Sequence, residues 1–590
     1  MRTDTFFVKR IICILMSAIL VISMTACGAS ADTPAEPASE AQSETEATEE
    51  ETSEAEDVDM LFSDSDVKTE TDDAGDVEKE AAASADSDVE AVPYLEFDYK
   101  TVLDDKEKKG DTVIYEGSFS WPVLSEASAL TYPELAKALE DDSEEAYEGY
   151  AGSRKESVKE AEERYGEEPE FFDNGNYSYH TEAWLRRADD KVTSFVTYYS
   201  TFLGGAHGLE GQFGYTYDTK TGKRLGLKDV IKDTSTLNDI LEKEILANYD
   251  AEIFDDLKGS LDQYDPDITE YTVTDSLDGD SYPYQWCLLP VGIEFYFGPY
   301  SLAYYAAGAQ DVILTYEDYP DLFTEEYKTD GDQGFVYEFL GDLEPFDLTG
   351  DGKRDSLWVE ALDTDEYDYA NGLCVTLNDK KEEVKDISFY NRGGSTRSAY
   401  YIRTADGKQY IYTEVMIDGM EDGLFVFEIN KDRAKFVDST DMHLADTVKY
   451  DDDFIWYRMT GTDPDSMELF RQVDIFVTCN AMAHCHVGIK GMPEVDEAYR
   501  PVGIGDDRAL ISKIELTCDI VDEDGKVISE KEKIKAGESF LITATDAESY
   551  VDARMSDDRI ARIYVTGYGY DWKIDGVQDR DCFEVLYLAG

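Results

Sequence analysis

Residues Phe202–Leu227 read FLGGAHGLEGQFGYTYDTKTGKRLGL, and this stretch organises the first folded half of the chain. The run Gly204-Gly205-Ala206-His207-Gly208, named here the glycine-histidine loop, interrupts a strand-like segment. Tyr215–Asp218 then alternates again, as a half-buried strand does. Gly222 can supply the positive φ that a tight hairpin turn needs. The spacing predicts a hairpin next to a loop that lies at a binding surface.

His207 is the obvious catalytic candidate in this half, but its neighbours do not favour catalysis. A serine nucleophile of the Gly-x-Ser-x-Gly type is not found around it. Two interpretations stay open. The imidazole hydrogen-bonds the backbone of a tight loop, or it contacts a partner together with Gly204, Gly205 and Gly208. Neither interpretation makes His207 a catalytic residue.

The net charge of the chain limits the kinds of partner that it can bind. The 590 residues carry a formal net charge of −79 at pH 7. Nucleic-acid binding needs a basic patch that neutralises phosphates, so we expect no nucleic-acid partner. A strongly anionic protein attracts cationic proteins and divalent cations, although the same charge also serves solubility.

The N-terminus predicts an exported lipoprotein. Arg2, Lys9 and Arg10 precede the apolar run Ile11–Met24, which is too short to span a bilayer comfortably. The sequence Met-Thr-Ala-Cys that ends at Cys27 resembles a bacterial lipobox, with Met in place of the usual Leu. We therefore expect residues 1–27 to be a lipoprotein signal peptide. A lipid on Cys27 would anchor the chain to the outer face of the cytoplasmic membrane. An ordinary cleaved signal is the alternative.

Composition divides the remaining chain into four parts. Residues 28–92 hold 23 acidic and two basic side chains with few large apolar ones, which predicts a disordered acidic linker. Residues 93–325 mix strand-like and helix-like patterns, which predicts an α+β domain. Residues 330–500 predict a β-rich, propeller-like meander with Asp-Gly and Asn-Asp turns. Residues 505–590 predict a small β-barrel or sandwich. The fold class expected is α+β followed by an all-β half.

Three local patterns in the α+β part give testable elements. Thr131, Pro133 and Glu134 predict a helix start with a capping box, and the helix runs to about Tyr165. Thr234–Asn248 predicts a second helix, capped by its first residues. Cys287–Phe297 is densely apolar and predicts one strand.

Residues 93–325 resemble the extracellular domain shared by the anti-sigma factor RsiV and the membrane-anchored deacetylase PdaC. The motifs that carry the resemblance are Tyr132-Pro133-Glu134-Leu135, the glycine-histidine loop, Tyr217-Asp218 with Thr221-Gly222-Lys223, and Val291–Tyr300 followed by Ala307-Gly308. The resemblance implies an α+β fold outside the membrane of a Gram-positive bacterium. It also implies roles in envelope sensing or beside peptidoglycan-modifying enzymes, with lysozyme sensing as the best-defined binding role.

The chain departs from both of these relatives. With no cytoplasmic segment before its signal, we do not expect it to hold a sigma factor. It also shows no deacetylase domain with a metal-binding Asp and paired His.

An aspartate-rich turn is the sharpest local motif. Its oxygen donors are Asp347, Thr349, Asp351 and Asp355, with the carbonyl of Lys353. The pattern matches the first nine positions of an EF-hand loop, but Trp358 occupies the twelfth position, where the bidentate Glu belongs. It resembles calcium-binding turns of extracellular β-propeller repeats. A structural calcium site and an Asp-Gly hairpin without metal are both compatible with the sequence.

Histidine and cysteine residues form a second cluster. His484 and His486 share one face of a predicted strand and could bind zinc, but no third ligand lies near them in sequence. Buried thiols or a disulfide are the alternative. Six cysteines follow Cys27 and would permit three disulfides in 15 connectivities. They are Cys287, Cys374, Cys479, Cys485, Cys518 and Cys582.

The sequence favours a non-catalytic, membrane-anchored binding protein. The expected partner is a cell-wall component or a cationic protein such as a lysozyme-like hydrolase. The rival hypotheses are a zinc-dependent cell-wall hydrolase or deacetylase, and a structural spacer.

Overall fold

The computed structural model describes most of the chain after residue 95. The described residues are 95, 97–173, 175–268, 281–329, 333–339, 342–343, 346–351, 353–365, 369–390, 398–417, 421–444, 446–450, 453–457, 463–502, 508–523, 525–567 and 571–587. The predicted signal peptide, the lipidation at Cys27 and the acidic linker 28–92 lie outside these residues. Within the described ranges, no helix is long and apolar enough to cross a membrane.

Five strands of the N-terminal half form one sheet in sequential order. They are β1 (Phe97–Lys109), β2 (Thr112–Leu124), β3 (Tyr177–Ala188), β4 (Val192–Phe202) and β5 (Leu209–Asp218). Neighbouring strands are antiparallel except β2 and β3, which run parallel. A parallel pair needs a crossover connection, and two helices supply it.

The crossover helices are α1 (Glu126–Thr131) and α2 (Pro133–Glu167). Leu135, Leu139 and Ala161 of α2 are fully buried in one core with Phe119 and Phe195 of the sheet. The predicted helix is confirmed, with Pro in its first turn. The predicted capping box is wrong: Thr131 ends α1, and the N-cap residue of α2 makes no side-chain cap bond.

Short helices and a second sheet cover the face of the five-stranded sheet that α2 leaves open. The elements are α3 (Leu227–Val230), α4 (Leu237–Asn248), α5 (Leu257–Leu261), β6 (Gln285–Leu289), β7 (Gly292–Phe297) and β8 (Gln310–Thr315). Short 3-10 helices occupy Pro169–Asp173, Thr234–Thr236, Ala251–Ile253 and Tyr305–Ala307. The helix predicted after Thr234 is confirmed, but α4 begins at Leu237 without a side-chain cap bond, and Asp233 caps the 3-10 helix that precedes it.

The single strand predicted for Cys287–Phe297 is wrong, because the chain turns at Pro290-Val291 to form the β6–β7 hairpin. This hairpin packs against the five-stranded sheet. The Leu288 amide donates to Ser194 Oγ over 3.1 Å, and Cys287 Sγ donates to the Phe195 carbonyl over 3.0 Å. The candidate site lies beside this contact between the two sheets.

The C-terminal half is built from strands, as the sequence predicts. Nine antiparallel strands form one sheet, in the order β10-β11-β12-β13-β15-β14-β9 with β16 between β15 and β17. They are β9 (Phe335–Phe339), β10 (Asp342–Leu343), β11 (Leu357–Ala361), β12 (Tyr369–Leu377), β13 (Lys380–Tyr390), β14 (Ser398–Arg403), β15 (Gln409–Ile417), β16 (Glu421–Asn430) and β17 (Arg433–Thr440). Separate blades around a channel, which a propeller requires, are not found in the described part of this region.

Two further sheets enclose a common apolar core at the C-terminal end of the chain. A β18–β19 hairpin precedes them (Asp446–Tyr450 and Asp453–Tyr457). The first sheet contains β20 (Met467–Ile475), β21 (Val477–Val487), β22 (Pro493–Val495) and β23 (Arg500–Pro501). The second contains β24 (Leu510–Ile511), β25 (Leu516–Val521), β26 (Val527–Ile534), β27 (Ser539–Thr545), β28 (Tyr550–Met555) and β29 (Ile560–Tyr564). The chain continues through β30 (Lys573–Ile574), β31 (Val577–Gln578) and α6 (Asp579–Cys582).

The second of these sheets runs from one edge strand, β24, to another, β26. Among the strands the structure describes, it does not close into a barrel, which was one of the two forms predicted for residues 505–590. Phe476 and Val477 of the first sheet are buried with Phe540 and Val551 of the second. The two sheets therefore bury a common apolar interior.

Candidate functional site

The glycine-histidine loop leaves the end of β4 and is held by a side chain of α2. Arg164 Nη1 donates to the Gly204 carbonyl over 2.8 Å. His207 is exposed, and its Nδ1 lies 2.8 Å from the Gly208 carbonyl. The imidazole therefore makes the backbone hydrogen bond that the sequence suggested, while its ring remains accessible.

A second loop, between β7 and β8, brings tyrosines to the histidine. The Tyr305 ring stacks on His207 with centroids 3.8 Å apart, and Tyr305 Oη donates to the Gly208 carbonyl over 3.0 Å. Tyr300 lies 5.4 Å from Tyr305 between ring centroids, and 57% of it is exposed. We call His207, Tyr300 and Tyr305 the aromatic cluster.

Tyr300 holds an uncommon backbone conformation. Its φ is +70°, in the left-handed region that side chains with a Cβ rarely occupy. Such strain persists only where surrounding structure imposes it, and it is frequent at binding sites. The aromatic cluster is therefore a presented surface and not the edge of an apolar core.

Aromatic and acidic side chains extend the surface along the sheet. Trp184 and Tyr198 stack with centroids 5.9 Å apart and planes 10° from parallel. Tyr198 Oη donates to the carboxylate of Glu210, which is exposed on β5. Burial, and then Glu210, raises the pKa of Tyr198, so its hydroxyl is a donor at neutral pH. The surface thus combines ring faces with negative charge.

Asp311, at the start of β8, is the most unusual carboxylate of this surface. Its Oδ1 is closed off from solvent and accepts no hydrogen bond from the described residues, and Oδ2 lies 3.5 Å from Gln212 Nε2. The backbone of Asp311 is fixed by Tyr249 Oη, which accepts from its N–H and donates to its carbonyl. Burial, with a smaller effect of the Glu294 charge, raises the pKa of Asp311 to about 7.

Arg186, whose charge acts on Asp311, is already paired with another carboxylate. Arg186 Nη2 donates to Glu294 over 2.7 Å, and Tyr296 Oη donates to the same carboxylate oxygen over 2.7 Å. The Arg186 guanidinium also lies over the Tyr337 ring, 5.0 Å from its centroid. These contacts fix Arg186 on Glu294, so it contributes no hydrogen bond to Asp311.

The aspartate-rich turn lies between β10 and β11 and is closed by its own hydrogen bonds. Asp347 Oδ1 accepts from the amides of Gly350 and Asp351, over 2.7 and 3.0 Å. Asp355 is buried and accepts from the Thr349 amide and from Asn378 Nδ2, each over 2.7 Å. Asp351 Oδ1 accepts from the Lys353 amide over 3.0 Å. Both oxygens of Asp355 thus have protein donors.

The two histidines of β21 pair with different carboxylates. His484 Nδ1 lies 2.9 Å from Glu497, and His486 Nδ1 lies 2.7 Å from Asp496. No group of three or more His, Cys, Asp or Glu side chains in the described ranges is arranged to hold a metal ion. The geometry therefore gives no added support to a zinc centre here.

The six cysteines after Cys27 are all free thiols. Five are buried and Cys479 is nearly so. Burial raises the pKa of Cys287 and of Cys582 to about 11 in each case, which keeps both thiols protonated and unreactive at neutral pH. None of the disulfides that the cysteine count permits is formed.

Comparison with known proteins identifies one domain. Residues 228–317 match the family model DUF3298, described as a protein of unknown function. The chain therefore carries a DUF3298 domain, which holds β6–β8, Tyr300, Tyr305 and Asp311; the glycine-histidine loop precedes it.

Two solved structures share this family name. A DUF3298 family member from Bacteroides fragilis is 18% identical, covers 39% of this chain and 94% of its own, and gives a TM-score of 0.28. One from Pseudomonas aeruginosa is 17% identical, covers 40% of this chain and 98% of its own, and gives a TM-score of 0.25. No curated protein matches the chain.

The sequence nominated part of this surface and missed the rest. His207 and its glycines were expected at a binding surface, whereas Tyr300, Tyr305 and Asp311 were not singled out. A signal was available in Gly298–Gly308, where three tyrosines lie between glycines without strand or helix periodicity. Asp311 carries no such signal, because an acidic residue at a strand start is ordinary.

Proposed function

We propose that the chain is a lipid-anchored extracellular binding protein, without catalytic activity, whose aromatic cluster contacts a cationic protein or a cell-envelope component. The observation that carries the proposal is the stack of exposed His207 on half-buried Tyr305, with exposed Tyr300 beside it at positive φ. Amphipathic rings of this kind bind sugars by stacking and cations by their π faces.

The charge of the surroundings favours a cationic protein over a neutral glycan. Helix α2 alone carries 12 acidic and five basic side chains, and Glu210 adds a carboxylate next to the aromatic cluster. The resemblance to the RsiV and PdaC extracellular domain supports the same choice, since lysozyme sensing belongs to that family. The lipid on Cys27 and the acidic linker would present the domain outside the cell.

The test is binding of lysozyme to immobilised ectodomain (residues 93–590) at low ionic strength. We expect Tyr300→Ala and Tyr305→Ala to weaken binding about tenfold each, because each substitution removes an aromatic ring that would contact the partner. Tyr369→Ala is the matched control, because Tyr369 is also an exposed tyrosine, 39% accessible, in the C-terminal half. Equal binding by all three variants would exclude the aromatic cluster as the contact, and no binding by the wild type would exclude a lysozyme-like partner.

A structural calcium ion at Asp347, Thr349, Asp351, Lys353 and Asp355 is a separate proposal. Its support is the spacing of five oxygen donors within nine residues, and the carboxylates of half-buried Asp347 and exposed Asp351 are the ligands that a cation could reach. Asp355 would have to exchange its amide donors for the ion. The test is the melting temperature with calcium and with chelator: a rise with calcium that Asp351→Ala abolishes supports the site, and no shift in the wild type excludes it.

A further inference from the structure

Asp311 has the properties of an incomplete ion pair. A carboxylate oxygen that is closed off from water and accepts no hydrogen bond is costly, and buried carboxylates normally have donors or a cation nearby. Among the described residues, the only donor within range is the Gln212 amide at 3.5 Å, and Arg186 is engaged by Glu294. Asp311 as a whole residue is only partly buried, so its carboxylate lies close to the protein surface.

The position of Asp311 connects it to the aromatic cluster. Gln212, its neighbour, lies two residues from Glu210 on β5, so both side chains project from the same face of the strand. Gln212 is paired across the sheet with Tyr198, whose hydroxyl bonds Glu210. Tyr296, the cross-strand partner of Asp311, shares a small apolar group with Trp184. A continuous surface thus runs from His207 past Glu210 and Tyr198 to Asp311.

We propose that Asp311 is the anchor for a lysine or arginine side chain of the bound partner. The ammonium or guanidinium group would approach the carboxylate from its solvent side and pair with its charge, and its alkyl stem would lie along the rings of Tyr198 and Trp184. This assignment rests on the proposed function, because it names the chemical group by which a cationic partner is recognised.

Isothermal titration with two peptides tests the anchor directly. One peptide is Gly-Lys-Gly-Lys-Gly with blocked ends, and the other is the same peptide with both lysines acetylated. We expect the wild type to bind the first at low salt and pH 8, and the second at least tenfold more weakly. Asp311→Asn should lower affinity for the first peptide at least tenfold. Glu156→Gln removes an equal charge from the exposed face of α2 and should change it less than twofold.

The outcomes separate the anchor from the proposed function. If Asp311→Asn binds the lysine peptide as the wild type does, or the wild type binds both peptides equally or neither, the anchor is excluded, whatever lysozyme does. If lysozyme binding needs Tyr300 but not Asp311, the anchor is also excluded while the proposed function stands. If the lysine peptide needs Asp311 while lysozyme does not bind, the anchor stands and a lysozyme-like partner is excluded. Thermal melting of Asp311→Asn confirms that the variant is folded.

Discussion

At the scale of a single residue, the raised pKa of Asp311 makes the stability of the fold depend on pH. Its pKa in the folded chain is raised to about 7, above the value of about 3.9 for an unfolded aspartate. The folded state therefore holds this proton more tightly than the unfolded state does. The resulting stabilisation is fully present below about pH 4 and is lost as the pH rises through 7.

We therefore predict that Asp311→Asn is more stable than the wild type at pH 8, by about 1–3 kcal/mol, because one pKa unit corresponds to about 1.4 kcal/mol and Glu294 shares the effect. The gain should shrink toward pH 4, where the wild-type carboxyl is protonated as well. Urea unfolding at the two pH values measures this difference. A variant that is less stable than the wild type at pH 8 would show that Asp311 is satisfied in the folded protein.

Asp355 differs from Asp311 because both of its carboxylate oxygens accept hydrogen bonds. Asp355→Ala leaves the Thr349 amide and the Asn378 side chain without their acceptor, so we expect a loss of about 1–3 kcal/mol in the free energy of unfolding. Asp351→Ala in the same turn is the control. Asp351 is exposed and accepts one bond from the turn itself, so its removal should cost less than about 1 kcal/mol. Similar losses would mean that the turn does not depend on the buried carboxylate.

The role of a single residue can be predicted from the sequence only when neighbouring residues determine its environment. His207 could be expected at a surface because the glycines on both sides prevent regular structure around it. The environment of Asp311 depends on Gln212, which lies 99 residues earlier in the chain and in the other sheet. No pattern around Asp311 carries that information, so its role emerges only from the fold.

At the scale of elements, the hairpin after β5 joins the first half of the chain. Gly222 has a φ of +64°, and a Cβ added there would lie 2.3 Å from the Glu134 carbonyl oxygen at the start of α2. The predicted turn is therefore also a packing contact between the hairpin and the helix. Because backbone atoms of the helix cannot withdraw without disturbing its first turn, no side chain fits at this position.

Gly222→Ala should therefore lower the free energy of unfolding by more than about 2 kcal/mol, combining the left-handed backbone cost with a steric clash. Gly110→Ala is the matched control. Gly110 has a similar φ of +66°, but no atom lies within 4 Å of the added Cβ. It should show only the backbone cost of about 1–2 kcal/mol. Equal losses in chemical denaturation would mean that the contact with α2 adds nothing.

Helices were easier to predict from this sequence than strand pairings. The buried positions Leu237, Leu241 and Ile245 recur with helical spacing, and that periodicity is local. The β6–β7 hairpin was missed although Pro290 and Gly292 mark its turn, because the apolar run continues on both sides of them. The propeller expectation failed for another reason. Tyr401 pairs with Tyr337, and a strand pattern does not specify a partner so distant in sequence.

At the scale of the whole molecule, the two halves depend on each other. Leu289 and Ile313 of the small N-terminal sheet are buried in the same core as Phe335 and Leu357 of the nine-stranded sheet. The stack of Arg186 on Tyr337 crosses the same boundary. The DUF3298 domain is therefore completed by apolar side chains from the strands that follow it.

We predict that a chain ending at residue 329 melts at a lower temperature than residues 93–590, because truncation exposes Leu289 and Ile313 and removes the ring below Arg186. Thermal melting followed by circular dichroism measures the difference. Tyr337→Ala in the longer chain should shift melting in the same direction by a smaller amount. An unchanged melting temperature for the short chain would show that the N-terminal half folds independently of the shared core.

The net charge of −79 acts over distances that the aromatic cluster cannot reach, so the two features should affect different rate constants. Long-range attraction raises the association rate of a cationic protein and is screened as the Debye length falls to about 8 Å at physiological salt. Raising ionic strength from about 20 to 150 mM should therefore slow lysozyme association about tenfold or more, with little change in dissociation.

Contacts at the aromatic cluster form only after encounter, so Tyr300→Ala should speed dissociation about tenfold and leave association within about twofold. Deleting residues 28–92 removes 21 net negative charges without touching the cluster, and should act on association alone. Surface plasmon resonance resolves both rate constants for each variant. A Tyr300→Ala variant that slows association but dissociates like the wild type would contradict this division, since a contact residue would then act only through encounter. A salt effect confined to dissociation would contradict electrostatic steering, and the acidic composition of the chain would then serve solubility alone.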